Sequence, residues 1–246
     1  MTTGLLPATR VPAAHPLDTA AQRLAYDGYL AARNQYKEEF LDRLAEECGE
    51  GPVLEVGPGY GGFATGLLAR RPLELRLLCT DPGAVELARG RLGTAAEVEY
   101  WAPGQPLPAA LLGRYALVYG VHLLGGDGDP LPLLRESARA LAPGGRLLVN
   151  DLRRDPDPFI LEYTLREMAA DDSPEGGYRL RTYLHSLNGA WTSAELRERL
   201  DAGGLAHWPV TAEGPMALTV EHRRESEAAS EPTGTTPHRT ATGEAP

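Results

Sequence analysis

Apolar and polar positions change period several times along the chain, and each change marks an element. From Asp18 to Cys48 there is one glycine and no proline, and Tyr36, Phe40 and Leu44 recur at helical spacing. Asp18 can cap this region and Gly49 and Gly51 can stop it, so one long helix, or two broken near Gly28, is predicted. Short apolar runs then read as strands over 53–56, 75–80, 98–101, 115–121 and 146–150, with helical runs between them over 63–71, 84–92, 109–112 and 131–141. Strands alternating with helices predict βαβ units: a doubly wound α/β fold with helices on both faces of a mostly parallel sheet.

After Asp151 the rhythm changes. An amphipathic helix is expected over 159–171, and 179–187 fits no single period. Thr192-x-x-Glu195 is a capping box opening a helix to about Ala202, which Gly203-Gly204 stops. Runs over 205–210 and 216–222 predict two late strands, an antiparallel pair that brings the sheet to seven. The expected organisation is a flexible arm over 1–17, one domain over 18–224 with an N-terminal helical lid, and a disordered tail over 225–246, which holds no large apolar residue.

Composition narrows the function. Of 246 residues 42% are hydrophobic, as in an ordinary globular domain, and the net charge of −10 disfavours nucleic acid. The two cysteines, Cys48 and Cys79, share no metal-type spacing and read as buried free thiols of a cytoplasmic protein, with no metal expected. No run resembles a signal peptide or a membrane span, so no membrane partner is expected, and self-association into a homo-oligomer stays open.

The most informative stretch is 53–64, VLEVGPGYGGFA, with glycines at 57, 59, 61 and 62. A strand runs into a glycine turn that opens a helix, where the backbone can approach a ligand and offer free N–H groups. That logic serves pyrophosphate and carboxylate alike. Glu55, two residues before Gly57, is awkward beside a pyrophosphate and suits a ligand carrying an ammonium or sulfonium charge. Asp81 ends the second strand 22 residues after Gly59, where an acid accepts hydrogen bonds from ribose hydroxyls; it could equally cap the helix after Pro82.

Read together, Glu55-x-Gly57-x-Gly59-x-Gly61 resembles the first motif of class I S-adenosylmethionine-dependent methyltransferases. YALVYGVHLL resembles their fourth strand, LAPGGRLLV (141–149) their loop and fifth strand, and TSAELRERLDAGGL the late helix of the small bacterial members, so the resemblance covers about residues 20–222. It implies a Rossmann-like fold, S-adenosylmethionine as cofactor, and cofactor contacts from Glu55, Gly57, Gly59, Gly61, Asp81, Pro82 and Gly120. The acid that commonly follows the third strand is missing: the place reads Tyr100-Trp101-Ala102-Pro103, so Trp101 and Ala102 are the adenine-side candidates.

Methyl transfer needs orientation and desolvation of a nucleophile, and a base only when a proton must leave. Catalytic candidates are therefore weak signals: His122 after the fourth strand as a base, or else a polar loop residue; Asn150 and Asp151 after the fifth, holding a substrate or making a turn; and Tyr183 from an aromatic stretch with Tyr178 and His185, lid or core. Arg153 and Arg154 could grip a substrate carboxylate or face solvent. Tyr26, Tyr29 and Tyr36 are the corresponding lid candidates at the N-terminus. The expected activity is methyl transfer to a small-molecule acceptor. The alternatives are a cyclase of the same fold, which would release methylthioadenosine and an azetidine amino acid, an NAD(P) oxidoreductase, which Glu55 disfavours, and a non-catalytic subunit.

Overall fold

The computed structural model describes residues 6–11, 35–126, 128–173 and 176–226. The expected helix over 18–34, with Tyr26 and Tyr29, and the tail beyond 226 lie outside the described residues, as does the side chain of Tyr36. Within the stretch 1–17, residues 6–11 run against the body: the Val11 amide donates to Asn188 O (2.9 Å), and Leu6 packs beside Tyr183, Leu161 and Met216.

Seven strands form one sheet: β1 (Val53–Gly57), β2 (Leu75–Cys79), β3 (Glu97–Tyr100), β4 (Tyr115–Val121), β5 (Leu141–Leu152), β6 (Val210–Glu213) and β7 (Ala217–Arg223). Their order is β3-β2-β1-β4-β5-β7-β6; β1 to β5 pair in parallel, and β7 runs antiparallel to both its neighbours. This is the doubly wound, Rossmann-like sheet with an antiparallel seventh strand that the sequence predicts. β1, β2 and β4 are buried nearly throughout, as strands covered on both faces must be, which is why they read as continuous apolar runs; β5 is buried most fully over Leu147–Val149.

One face is covered by α1 (Gln35–Glu47), α2 (Gly62–Arg70) and α3 (Val85–Leu92), which bury Phe40, Leu44, Leu67 and Ala88 against Leu77, Leu117 and Leu148. The other face packs α4 (Pro130–Arg139) and α7 (Ser193–Ala202) on Leu54, Val118, Leu147 and Val149. The Thr192–Glu195 capping box is present in full at the start of α7. Two further helices, α5 (Pro158–Ala169) and α6 (Gly176–Gly189), enclose a small cluster of Leu161, Met168, Tyr183, Leu187 and Met216. The segment 179–187, ambiguous in sequence, belongs to α6.

Three boundaries depart from expectation. The run 205–210 is not a strand: a turn with Trp208 N donating to Leu205 O occupies it, and β6 starts only at Val210, after Pro209, which has no N–H to give a ladder. The helix expected over 131–141 ends at Arg139, because Leu141 already pairs with Tyr115. For the same reason β5 is much longer than 146–150, and a register shift between Tyr115 and Leu117 absorbs the Pro143-Gly144-Gly145 bend. No helix among the described residues is long and apolar enough to cross a membrane.

Candidate active site

The strand order reverses between β1 and β4, and ligands of such sheets sit in the crevice beyond the carboxyl ends of the strands there. The exits of β1, β2 and β3 end level: Gly57 pairs with Cys79 and Cys79 with Tyr100, Thr80 N donates to Gly57 O (2.8 Å), and Trp101 N donates to Cys79 O (2.9 Å). The glycine turn therefore rests on a fixed floor.

Glu55 is 4% exposed within that floor. It stands opposite Tyr119 in the parallel register of β1 and β4, so both side chains point to the same face, and the Tyr119 hydroxyl donates to Glu55 Oε2 at 2.6 Å. Burial first, and then the Glu55 charge, raise the Tyr119 phenol well above its usual range, so the donor stays protonated. The Cys79 thiol, donating to Gly59 O at 3.4 Å, is pushed up to about 12 by burial and then by Glu55 and Asp81. Both cysteines are free and buried, and Cys79 is an inert part of the turn's support.

The turn is shaped for a ligand. A Cβ on Gly59 would meet Glu55 Oε1 at 2.6 Å and Leu77 Cδ1 at 3.0 Å, and one on Gly120 would meet Val56 O at 2.8 Å. Gly61 takes a left-handed conformation, φ +78°, and caps α2 without a side-chain hydrogen bond to the helix start. An acidic floor and a helix N-terminus whose N–H groups no side chain caps suit a group bearing both an ammonium and a carboxylate, so the residues present fit the aminocarboxypropyl end of S-adenosylmethionine. Asp81 follows β2; its Oδ1 accepts from Gly83 N (2.8 Å), so the capping role is real, and Pro82 opens that short turn. Trp101, one of the two adenine-side candidates, is 5% exposed in the cluster with Leu78, Leu107 and Leu124, and its N–H donates to Gln105 O. Ala102 beside it is half-buried.

On the acceptor side, His122 is the single non-glycine residue with positive φ among the described residues, at +53°. Its amide donates to Asn150 O (3.0 Å), and its Nδ1 lies 3.7 Å from Oδ1 of Asp151. Asp151 is 5% exposed and locked by two backbone donors, Leu152 N to Oδ1 (2.7 Å) and Leu124 N to Oδ2 (2.6 Å). Asp151 is thus the residue brought to His122. Asn150, one position earlier, turns to the opposite face and donates to Thr219 Oγ1 (3.1 Å) and Glu213 Oε2 (3.4 Å). Tyr183 is 7% exposed in the cluster between α5 and α6. Arg154 neither faces solvent nor stands ready for a substrate: it is buried and donates to Pro7 O, Ala8 O, Ala190 O and Glu195. Arg153 is paired with Asp155. Among the described residues no group of three His, Cys, Asp or Glu side chains is placed to hold a metal ion.

Tyr119, the buried partner of Glu55, was not singled out in the sequence. Its one visible signal is a polar-tipped aromatic inside an otherwise apolar buried strand, which must find a hydrogen-bond partner.

Comparison with known proteins agrees with this geometry. The family described as "Methyltransferase domain" matches residues 26–208. The ubiquinone biosynthesis O-methyltransferase of Xanthomonas axonopodis pv. citri (strain 306) is 27% identical over 183 residues, 73% of this chain and 76% of that protein. The protein of the same name from Xanthomonas oryzae pv. oryzae (strain PXO99A) is 30% identical over 161 residues, 64% of this chain and 66% of that one. Among solved structures, the plantazolicin methyltransferase BpumL, in complex with a monoazolic desmethylPZN analog and SAH, superposes with a TM-score of 0.62 at 13% identity, covering 85% of this chain and 90% of that one. A SAM-dependent methyltransferase from Aquifex aeolicus gives 0.55 at 15% identity, covering 81% and 97%. With the family model matching residues 26–208 of 246, the chain belongs to the methyltransferase-domain family and is an S-adenosylmethionine-dependent methyltransferase.

Proposed function

We propose that the protein methylates a hydroxyl oxygen of a small aromatic acceptor, with His122 as the base. The observation that carries this reading is the His122–Asp151 pair at the exits of β4 and β5, beside the glycine turn. A residue held at positive φ away from glycine is strained, and such strain gathers at functional positions. With Nδ1 turned to the Asp151 carboxylate, Nε2 is left to take the hydroxyl proton, and the carboxylate offsets the charge that arises on the ring. A phenolic hydroxyl, with a pKa near 10, lies within reach of an imidazole; an aliphatic one does not. When bound, S-adenosylmethionine supplies the electrophilic methyl group and leaves as a neutral thioether. Glu55, held by Tyr119, and Gly57, Gly59 and Gly61 would bind its amino-acid end, and Asp81 would accept from its ribose. Oxygen as the accepting atom is favoured by the O-methyltransferase names of the relatives. Nothing in the site or the comparisons favours the cyclase.

His122→Asn tests this. Asparagine tolerates the left-handed conformation, so the fold is kept while the base is lost. With 3,4-dihydroxybenzoate as the probe acceptor, turnover measured by release of S-adenosylhomocysteine should fall by about 10²–10⁴-fold, with cofactor affinity little changed. Wild-type turnover in the variant overturns the base, and methylthioadenosine formed from the cofactor alone would replace methyl transfer with cyclisation.

A further inference from the structure

The exits of β4 and β5 are held by more than the sheet. Leu124, two residues after His122, is fixed at both backbone groups: its N–H donates to Asp151, and its carbonyl accepts from Trp191 Nε1 (3.0 Å). The same carbonyl accepts from Arg10 Nη2 at 3.3 Å. Arg10 comes from the far N-terminal segment. Its Nε donates to Gly189 O (2.6 Å), its Nη2 also reaches Gly126 O, and its Cζ lies 4.4 Å over the Trp191 ring. One guanidinium thus ties the loop after β4, at Leu124 and Gly126, to the segment that follows α6, at Gly189 and Trp191.

The strap around Arg10 is itself anchored at the β5 exit. Arg154 donates to Pro7 O (2.7 Å) and Ala8 O (2.9 Å), and also to Ala190 O and Glu195. A guanidinium this buried requires such partners, because an uncompensated buried charge costs several kcal/mol. Strap and Arg154 therefore support each other. The Trp191 segment lies between them, with Arg154 N donating to Trp191 O (3.1 Å).

We propose that Arg10 is a positioning residue for methyl transfer: residues 6–11 form a strap that holds the His122–Leu124 loop so that the imidazole stays against Asp151. This rests on the reading of His122 as the base. A loop of glycines and small contacts follows β4, and Gly125, Gly126 and Gly128 give it little stiffness of its own. Three carbonyls around one planar, five-donor cation supply that stiffness from outside, and the stacking on Trp191 fixes the plane of the fork. A lysine places one ammonium where the arginine spans several acceptors, so it should restore only part of the effect.

The test uses the full chain with Arg10→Ala, Arg10→Lys, His122→Asn and the Arg10→Ala/His122→Asn pair. Histidine-labelled protein bound to S-adenosylhomocysteine reports His122 directly by NMR, as the one ring signal of the six histidines that His122→Asn removes. His207 and His222 serve as remote controls, since His222 sits opposite Leu147 towards the other end of β5. In Arg10→Ala the His122 signal should shift or broaden while the control signals, the melting temperature and cofactor affinity hold. Turnover of 3,4-dihydroxybenzoate should fall by about tenfold, as small misplacements of a reacting group do, with partial recovery in Arg10→Lys. The pair should be no slower than His122→Asn alone. If His122→Asn turns over normally, the base reading fails first. If it is slow while Arg10→Ala leaves both the His122 signal and turnover unchanged, the strap is overturned and the base stands. Losses in the pair that multiply, or a general loss of stability and cofactor affinity in Arg10→Ala, also overturn the positioning role.

Discussion

Tyr119→Phe removes one oxygen and keeps the ring. Tyr119 is fully buried, so the change creates no overlap and almost no cavity; what it removes is the 2.6 Å hydrogen bond to Glu55. Hydrogen bonds to charged groups contribute about 1.5–3 kcal/mol, and here the loss is not shared with water, because Glu55 is 4% exposed. The carboxylate oxygen left behind must find water or another donor in a packed floor. A loss of about 2 kcal/mol is expected, which at a urea slope of about 2 kcal/mol per molar lowers the unfolding midpoint by about 1 M. The cofactor should register the change too. Glu55 Oε1 lies directly under Gly59, so a carboxylate released on its Oε2 side is free to swing away from the turn. Affinity for S-adenosylhomocysteine, measured by calorimetry, should fall by about tenfold, or about 1.4 kcal/mol. A midpoint and an affinity that both match the wild type would refute the reasoning, because Glu55 would then be held by contacts other than Tyr119. A lower midpoint with unchanged affinity would keep the structural bond and remove Glu55 from the cofactor.

Two further outcomes follow from the same end of the sheet. Asp81→Ala should weaken S-adenosylhomocysteine by about 2 kcal/mol, the scale of hydrogen bonds to a charged acceptor, while the fold survives loss of the Gly83 cap; unchanged affinity by titration would leave Asp81 as a cap only. Stability should fall at alkaline pH: the Cys79 thiol, pushed up to about 12 by burial first and then by Glu55 and Asp81, keeps its proton in the fold where the unfolded chain loses it near 9, so its contribution is full below 9 and is lost as pH rises towards 12, by up to about 1.4 kcal/mol per pH unit. Urea midpoints at pH 8, 9 and 10 should therefore decline in the wild type and decline less in Cys79→Ala, and equal slopes would count against the shift.

The cofactor end of the site was legible because its chemistry is local. Strand, glycine turn and helix are contiguous over 53–70, and each glycine answers a nearby constraint: Gly61 the left-handed cap, Gly59 the closeness of Glu55 four residues back. Short continuous apolar runs likewise marked the strands that are buried on both faces. They failed at 205–209, where Leu205 and Trp208 are apolar for packing and a turn delivers them to the core, while the strand begins only at Val210. Trp101, an adenine-side candidate from sequence, packs into the core cluster, since an aromatic at a strand exit looks the same in sequence whether it fills the core or faces a ligand.

The acceptor side was not legible for a different reason. Its contacts join residues far apart in the chain: His122 with Asp151, Leu124 with Trp191, Arg154 with Pro7 and Ala8. Which of two neighbours points inward is set by strand register, and a shift of one residue exchanges them. Asn150 and Asp151 were indistinguishable as candidates until the pairing of β5 with β4 and β7 sent Asn150 to Thr219 and Asp151 to Leu124. His122 was readable only as a histidine after a strand; its positive φ comes from the way β4 leaves the sheet, with the His122 amide still bonded to Asn150 O while the chain turns towards Leu124. A side chain positioned by such a turn is only as well aimed as the contacts that hold the turn, and here those come from Asp151 and Trp191, later in the chain, and from Arg10, 114 residues before Leu124.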